Sequence, residues 1–139
     1  MDRRRICPTG DPWIRDYLSR GTGLENNRLI SLASNMPLFS AWANDSAFEV
    51  VFSEQLLTLG DEGDLAIGIS ASGNSPNVIN GLQTARQMGM TTIGWTGFAG
   101  GKMKDHCDIC FIVPTTDMEQ IEDVHMILNH IILHALREA

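Results

Sequence analysis

Four short apolar runs alternate with segments of helical periodicity, and this alternation restricts the chain to few folds. The runs occupy residues 28–33, 65–70, 91–96 and 109–113. Each run is nearly continuous in its apolar residues, which is typical of parallel strands covered on both faces. Parallel neighbours need crossover connections, and the helical segments between the runs supply them. We therefore predict an α/β fold with a three-layer parallel sheet and right-handed crossovers.

The helix after the second run has clear ends. Ser75 and Pro76 stand where an N-cap and a first-turn proline belong, and Gly89 follows the last apolar position. The apolar stripe between these ends consists of Val78, Ile79, Leu82, Ala85 and Met88. Its spacing predicts a helix that buries one face.

Two further helical segments follow the first and last runs. The earlier one starts at Ser34 or Asn35 and continues to Leu57, with a break near residues 44–45. The later one runs from about Met118 to Arg137, with apolar residues at helical spacing.

Composition and charge exclude several classes of protein. The chain has 139 residues, enough for one domain with its own core. Its 10 lysines and arginines face 17 aspartates and glutamates, a formal net charge of −7 that repels nucleic acids and anionic lipids. No run reaches the roughly 18 apolar residues of a membrane span, and the arginines at 3–5 are not followed by the apolar core of a signal peptide. We expect a cytoplasmic protein with neither nucleic-acid nor membrane partners.

The three cysteines cannot all pair, which argues against a disulfide framework. Cys107 and Cys110 have the spacing of a redox motif, but they lead directly into the apolar residues 111–113. Residues three apart on a strand point to opposite faces of the sheet. We predict buried or half-buried structural thiols, with a redox pair or a zinc site as the alternative.

Residues 68–77 form the strongest candidate for chemistry, because they join the end of a predicted strand to a capped helix. Over the 21 residues 65–85 no charged side chain occurs. The hydroxyls of Ser70, Ser72 and Ser75 and the first-turn N–H groups would act as neutral donors, while Gly73 allows close backbone approach. We predict a cradle for a phosphate monoester, with an ordinary capped serine-rich turn as the alternative. The nucleotide-binding patterns GxxxxGK[ST] and GxGxxG do not occur.

Residues 63–78, with the sequence GDLAIGISASGNSPNV, resemble the signature of SIS (sugar isomerase) domains. The similarity is greatest to the phosphoheptose isomerase group, including its relative that associates with the bacterial replication initiator. Further matching stretches are Ala43-Asn44-Asp45, Phe48-Glu49, Val51-Phe52, Thr96-Gly97, Gly100-Gly101-Lys102, Ile121-Glu122-Asp123-Val124-His125 and His130. The resemblance covers about residues 28–139 and implies a flavodoxin-like sheet of strand order 2-1-3-4-5. We therefore expect a divergent segment over 1–27 and an SIS domain over 28–139.

The resemblance also implies a ligand, a phosphorylated sugar, and in the isomerases the conversion of sedoheptulose 7-phosphate to a heptose phosphate. It assigns the phosphate to a loop made of Ser70, Ala71, Ser72, Gly73, Asn74 and Ser75. Asn44 and Asp45 would contact the sugar. His130 matches a histidine that serves catalysis or zinc binding, and Glu122 stands where these isomerases usually carry a glutamine that touches substrate or metal. The family likeness further implies a homodimer or homotetramer.

The amino-terminal part departs from the family pattern. The related isomerases have a Gly-Asn-Gly-Gly-Ser-Ala loop after their first strand and then a helix with a histidine and a glutamate, and this sequence has no such motif. Residues 13–21 would correspond to the end of the family's first long helix. Without that first strand, residues 28–33 pair directly with 65–70, or another chain fills the gap, or the chain is amino-terminally truncated. We therefore rank a phosphosugar-binding module without catalysis ahead of an active isomerase, and a partner-binding module after both.

Overall fold

Five parallel strands form one sheet in the computed structural model, which describes residues 4–7 and 28–138. The strands are β1 (Arg4–Cys7), β2 (Arg28–Ser31), β3 (Leu65–Ser70), β4 (Thr91–Gly97) and β5 (Ile109–Val113). Their order across the sheet is β2-β1-β3-β4-β5. The predicted α/β class, parallel sheet and strand order are confirmed.

Strand β1 supplies a neighbour for β2 that the sequence did not reveal. Arg4 to Cys7 pair with Arg28 to Ser31 on one side, and Arg5 and Ile6 pair with Leu65 and Ala66 on the other. Residues 28–33 therefore do not pair directly with 65–70, and the gap between them is filled by a strand of the same chain rather than of another one. A strand of four residues that begins with two arginines carries too weak an apolar signal to be recognised before its pairing is known. Residues 13–21, which would match the family's first helix, lie outside the described residues.

The helices begin and end close to the predicted start and stop residues. They are α1 (Met36–Asp45), α2 (Ser53–Leu59), α3 (Pro76–Gln87) and α4 (Met118–Glu138), with 3-10 turns at Phe48–Val50 and Met103–His106. Asn35 caps α1 through its side chain, which accepts from the Leu38 N–H at 3.3 Å. The predicted break near residues 44–45 is the end of α1. No helix in the part of the chain that the structure describes is long and apolar enough to cross a lipid bilayer.

Helix α3 lies directly against β3 because Gly68 has no side chain. A methyl group at Gly68 would lie 2.8 Å from Leu82 Cδ1 and 3.0 Å from Val78 Cγ1. The predicted stripe of α3 faces the sheet, and Leu82 and Ala85 are completely buried. The core between α3, the preceding helices and the sheet includes Leu32, Val51, Phe52, Leu56, Ala66, Val78, Ile79, Leu82, Ala85, Met90 and Met103. This packing fixes the position of the loop that joins β3 to α3.

Cys107 and Cys110 are both free thiols of intermediate burial, as predicted. The expectation that they point to opposite faces is wrong, because Cys107 ends the 3-10 turn and precedes β5 rather than lying on it. Both sulfur atoms lie on the same side of β4, next to Gly94.

Candidate functional site

The loop from Ser70 to Ser75 lies at the carboxyl end of β3, next to the end of β4. Ser70 is buried, whereas Ser72 and Asn74 are exposed. The Gly73 N–H donates to the Ser70 carbonyl at 2.9 Å and closes a tight turn, with Gly73 at φ +66°. The loop therefore presents its middle residues to solvent at the edge where open α/β sheets bind ligands.

The serine hydroxyls are arranged differently from the prediction in one respect. Ser75 occupies the N-cap position of α3 but makes no side-chain capping bond. Its Oγ lies 2.9 Å from Ser70 Oγ, so these two hydroxyls share a hydrogen bond. The Ser72 Oγ accepts from the Asn74 N–H at 3.2 Å. Ser75 therefore leaves the first turn of α3 uncapped by its own side chain.

Several backbone donors face this loop without an acceptor. The first turn of any helix has N–H groups with no intrahelical partner. The backbone N–H groups of Ser72 and Ser75 donate no hydrogen bond to any residue that the structure describes. Together with the partial positive charge of the α3 amino terminus, these donors favour an anion.

A second loop, residues 97–103, holds the first one in place. The Gly97 N–H donates to the Ala71 carbonyl at 2.8 Å, and the Met103 N–H donates to the Gly73 carbonyl at 2.9 Å. The Lys102 N–H donates to Asn74 Oδ1 at 3.1 Å. Thus Asn74, assigned to the ligand by the family likeness, uses its side-chain oxygen to bind the second loop.

The two loops touch through glycines. A Cβ on Gly73 would overlap the Gly100 carbonyl oxygen, and a Cβ on Gly101 would lie 2.6 Å from the Ser72 carbonyl oxygen. Sequence reasoning quoted Gly100 and Gly101 only as a family match and gave them no role. The adjacent glycine pair was the sequence signal that could have indicated a close backbone contact, and both residues adopt positive φ angles, +89° and +54°.

Helix α4 crosses the end of β4 close to the same edge. A Cβ on Gly97 would overlap Ile121, which is completely buried. His125 is also buried, and its Nε2 donates to the Thr96 carbonyl oxygen at 3.3 Å. Burial lowers the pKa of His125 below its ordinary 6.5, against smaller opposing effects of the Thr96 hydrogen bond and of Glu122. His125 is therefore buried against the end of β4, and its burial favours the neutral form of the ring.

The other predicted site residues lie on two separate helices. Asn44 and Asp45 end α1 on the surface, where Asn44 Nδ2 donates to Asp45 Oδ1 at 3.0 Å. Glu122 and His130 lie on exposed positions of α4. None of the hydrogen bonds or ion pairs that the structure gives joins Asn44, Asp45 or Glu122 to the loop of Ser70–Ser75. Their assignment to the ligand stays a prediction.

The family resemblance also implied a zinc site on α4. A catalytic zinc takes three protein ligands and a structural zinc four. The described residues contain no group of three or more histidine, cysteine, aspartate or glutamate side chains placed to hold a metal. Glu122 and His130 thus supply two donors at most, and this part of the chain does not by itself fit a zinc centre.

Comparison with known proteins places the chain in a family. The profile of the SIS domain matches residues 16–97, more than half of the chain. The chain belongs to the SIS-domain family. The phosphoheptose isomerase of Aliarcobacter butzleri is 46% identical over 103 residues, which cover 74% of this chain and 54% of that protein. This SIS-domain chain therefore spans about half the length of the curated relatives it matches.

Solved structures of other proteins agree with the fold. Phosphoheptose isomerase GmhA from Neisseria gonorrhoeae superposes with a TM-score of 0.89 and 30% identity, over 99% of this chain and 78% of that one. The NanR protein of Vibrio vulnificus, complexed with ManNAc-6P, superposes with a TM-score of 0.63 and 16% identity, over 99% of this chain and 49% of that one. The second likeness concerns the fold alone.

Proposed function

We propose that this SIS domain binds the phosphate of a phosphorylated sugar related to sedoheptulose 7-phosphate on the loop Ser70–Ser75. The observation that carries the proposal is the set of neutral donors at the α3 amino terminus: serine hydroxyls and the unengaged N–H groups of Ser72 and Ser75. Such donors bind phosphate at helix amino termini without a charged side chain.

The net negative charge of the chain does not prevent a phosphate from binding at this loop. At a net charge of −7 the protein repels anions at long range. Hydrogen bonds and the helix dipole act over a few ångströms, so the loop can still attract a phosphate that reaches it. A sugar attached to the phosphate adds hydroxyls, for which Asn44, Asp45 and Glu122 are the proposed partners.

Relatives support the class of ligand. Proteins named phosphoheptose isomerase match the chain at up to 46% identity in the region that contains the loop. The cytoplasm, where sugar phosphates are made and retained, is the proposed location.

Aldose–ketose isomerisation is the second candidate, favoured by the names of these relatives. The reaction moves a proton between adjacent carbons and needs a positioned carboxylate or imidazole. His130 is the proposed catalytic group, with Asp45 and Glu122 as further candidates. We rank binding first because, among the described residues, no hydrogen bond or ion pair joins Asp45 or Glu122 to the loop. Turnover of sedoheptulose 7-phosphate above background, with or without zinc, would reverse this order.

Calorimetric titration with sedoheptulose 7-phosphate tests the binding proposal. A hydrogen bond to a charged group contributes about 1.5–3 kcal/mol, so Ser72→Ala should weaken binding roughly 10- to 100-fold. Ser40→Ala is the matched control, because its exposed hydroxyl only bonds the Pro37 carbonyl within α1. Sedoheptulose without phosphate should not bind. Equal affinity of wild type and Ser72→Ala would refute the assignment of the loop.

We also propose that copies of the chain associate as a homodimer or homotetramer. Helix α4 supports this, since four of its large apolar side chains are exposed: Met118, Met126, Ile127 and Ile131. Together with His130 and His134, Ile127 and Ile131 line an open surface groove along α4. A second copy is the proposed occupant of this surface.

A further inference from the structure

Three sulfur-containing side chains converge on Gly94 in the middle of β4. A Cβ built on Gly94 would lie 2.5 Å from Cys107 Sγ, 3.2 Å from Met103 Cε and 3.5 Å from Cys110 Sγ. Gly94 and Met103 are buried, whereas both cysteines are half-buried. Because Gly94 has no side chain, the space beside β4 is occupied by sulfur-bearing groups from the following segment.

The backbone explains why the two thiols meet. Cys107 follows the 3-10 turn at φ −115° and ψ 147°, whereas Cys110 is the second residue of β5. The Cys107 Sγ donates to the Met103 carbonyl at 3.2 Å, which ties it to the turn. The Cys110 Sγ lies beside the same glycine, Gly94, as the Cys107 Sγ. The pair is thus held together by the fold, and the proposed phosphosugar site uses neither thiol.

The environment disfavours thiol–disulfide chemistry. Burial raises the pKa of Cys107 to about 12, and burial also raises the pKa of Cys110. The charged groups that act on the pair have mixed signs: Asp105 and Asp108 favour the protonated thiols, and Arg86 and Lys104 favour thiolates. Since the thiolate is the attacking species, two protonated thiols exchange slowly.

A soft cation suits the same group of atoms. Thiolate and thioether sulfur favour Cu(I), zinc and iron–sulfur clusters, while hard ions prefer oxygen ligands. Zinc prefers four ligands, and the described residues offer no third cysteine or histidine here. A bound cation also removes the obstacle of the protonated thiols, since a coordinating thiol loses its proton.

We propose that Cys107 and Cys110 bind one monovalent soft cation, Cu(I) or its analogue Ag(I), with the thioether of Met103 beside them. Two metal–sulfur bonds form, two S–H bonds break, and both protons pass to the solvent. The oxidation state of the metal does not change, so no oxidant or reductant takes part.

The test is a titration of the full, reduced chain with Ag(I), and with Cu(I) in competition with a chromophoric Cu(I) chelator. The Cys7→Ser variant serves as the starting protein, because it removes the third cysteine and keeps the proposed pair. We expect one ion per chain and the release of two protons at neutral pH. Cys110→Ser in the Cys7→Ser background should weaken binding more than about 100-fold, beyond the loss seen when an outer partner of a metal ligand is removed.

A second measurement does not depend on the folding of a cysteine variant. Bound Ag(I) should protect both Cys107 and Cys110 from alkylation in the unmutated chain, where mass spectrometry of peptides reports each cysteine separately. The proposal is refuted if Cys7→Ser binds no ion, if Cys110→Ser binds equally well, or if the two thiols stay equally reactive with the metal present. Formation of a disulfide in place of a metal complex would refute it as well.

Discussion

Gly73 and Gly63 both have positive φ angles, +66° and +83°, but their surroundings differ. A Cβ at Gly63 meets nothing within 4 Å, whereas a Cβ at Gly73 would overlap the Gly100 carbonyl. Gly63→Ala should therefore lower the free energy of unfolding by only about 1–2 kcal/mol, the cost of placing a residue with a side chain in the left-handed conformation. Gly73→Ala should lose more and should also abolish measurable phosphosugar binding, because the two loops must separate.

Urea unfolding and calorimetry of the two alanine variants check this prediction. If Gly73→Ala and Gly63→Ala lose the same stability and both bind sedoheptulose 7-phosphate, the contact between the loops has no energetic importance.

His125 provides a prediction about pH. Its pKa lies below the ordinary 6.5 because the ring is buried, so the unfolded chain binds more protons between the two pKa values. The free energy of unfolding should therefore rise with pH in that window. The contribution is complete above about pH 6.5 and is lost as the pH falls through the folded-state pKa. NMR titration of the His125 ring and urea unfolding between pH 5 and about pH 7.5 measure the two effects.

A pair of glutamine variants isolates this contribution. His125→Gln keeps a donor for the Thr96 carbonyl and should flatten the rise in stability with pH. His134→Gln is the control, because His134 is exposed and pairs only with Glu138 among its described partners. An unchanged slope in His125→Gln would show that other groups cause the pH dependence.

For single residues, the sequence predicted which side chains belong to the loop better than it predicted their hydrogen-bond partners. Ser70, Ser72 and Ser75 are on one loop, as expected, yet the Ser75 hydroxyl bonds Ser70 instead of capping α3. The Ser75 hydroxyl can accept from a first-turn N–H of α3 or share a hydrogen bond with Ser70, and the choice depends on a turn geometry that residue types do not determine. Cys107 and Cys110 show the same limit, because their relative direction depended on where β5 begins.

Leu82 anchors α3 to the sheet at Gly68, and its removal is a prediction about the whole helix. Leu82→Ala should lower the free energy of unfolding by about 2–5 kcal/mol, because the side chain is completely buried and leaves a cavity. Leu57→Ala is the matched control: Leu57 is 59% exposed, so its loss should be well under 1 kcal/mol. Chemical unfolding of both variants measures the difference, and equal losses would contradict the role of α3 in the core.

Elements with strong periodicity and clear ends were predictable, and β1 was not. β3 and β5 have the predicted bounds, and α3 and α4 end within a residue or two of their predicted ends. Their signals are local: apolar runs, Pro76, and the stop at Gly89. By contrast, Arg4–Cys7 becomes a strand through pairing with β2 and β3, which are remote in the sequence. The second loop was missed as a partner of the site for the same reason.

Self-association is the prediction for the whole molecule. Ile127 and Ile131 are 56% and 59% exposed on α4, and we expect wild type to sediment as a dimer or tetramer. Replacing both isoleucines by glutamate should shift the protein to the monomer, because charge at an apolar contact is costly to bury. Met36→Glu, on the exposed start of α1, is the control. A wild-type monomer at all concentrations would refute the proposed association.

The position of β1 also affects how the sheet is completed. β1 lies between β2 and β3, and its partners in β3 are separated from it by nearly half of the chain. Closing so long a loop costs chain entropy before any contact compensates for it. We therefore expect β3, α3 and β4, which are neighbours in sequence, to assemble first. The central gap would then be filled late, by residues that are translated before the strands on either side of them.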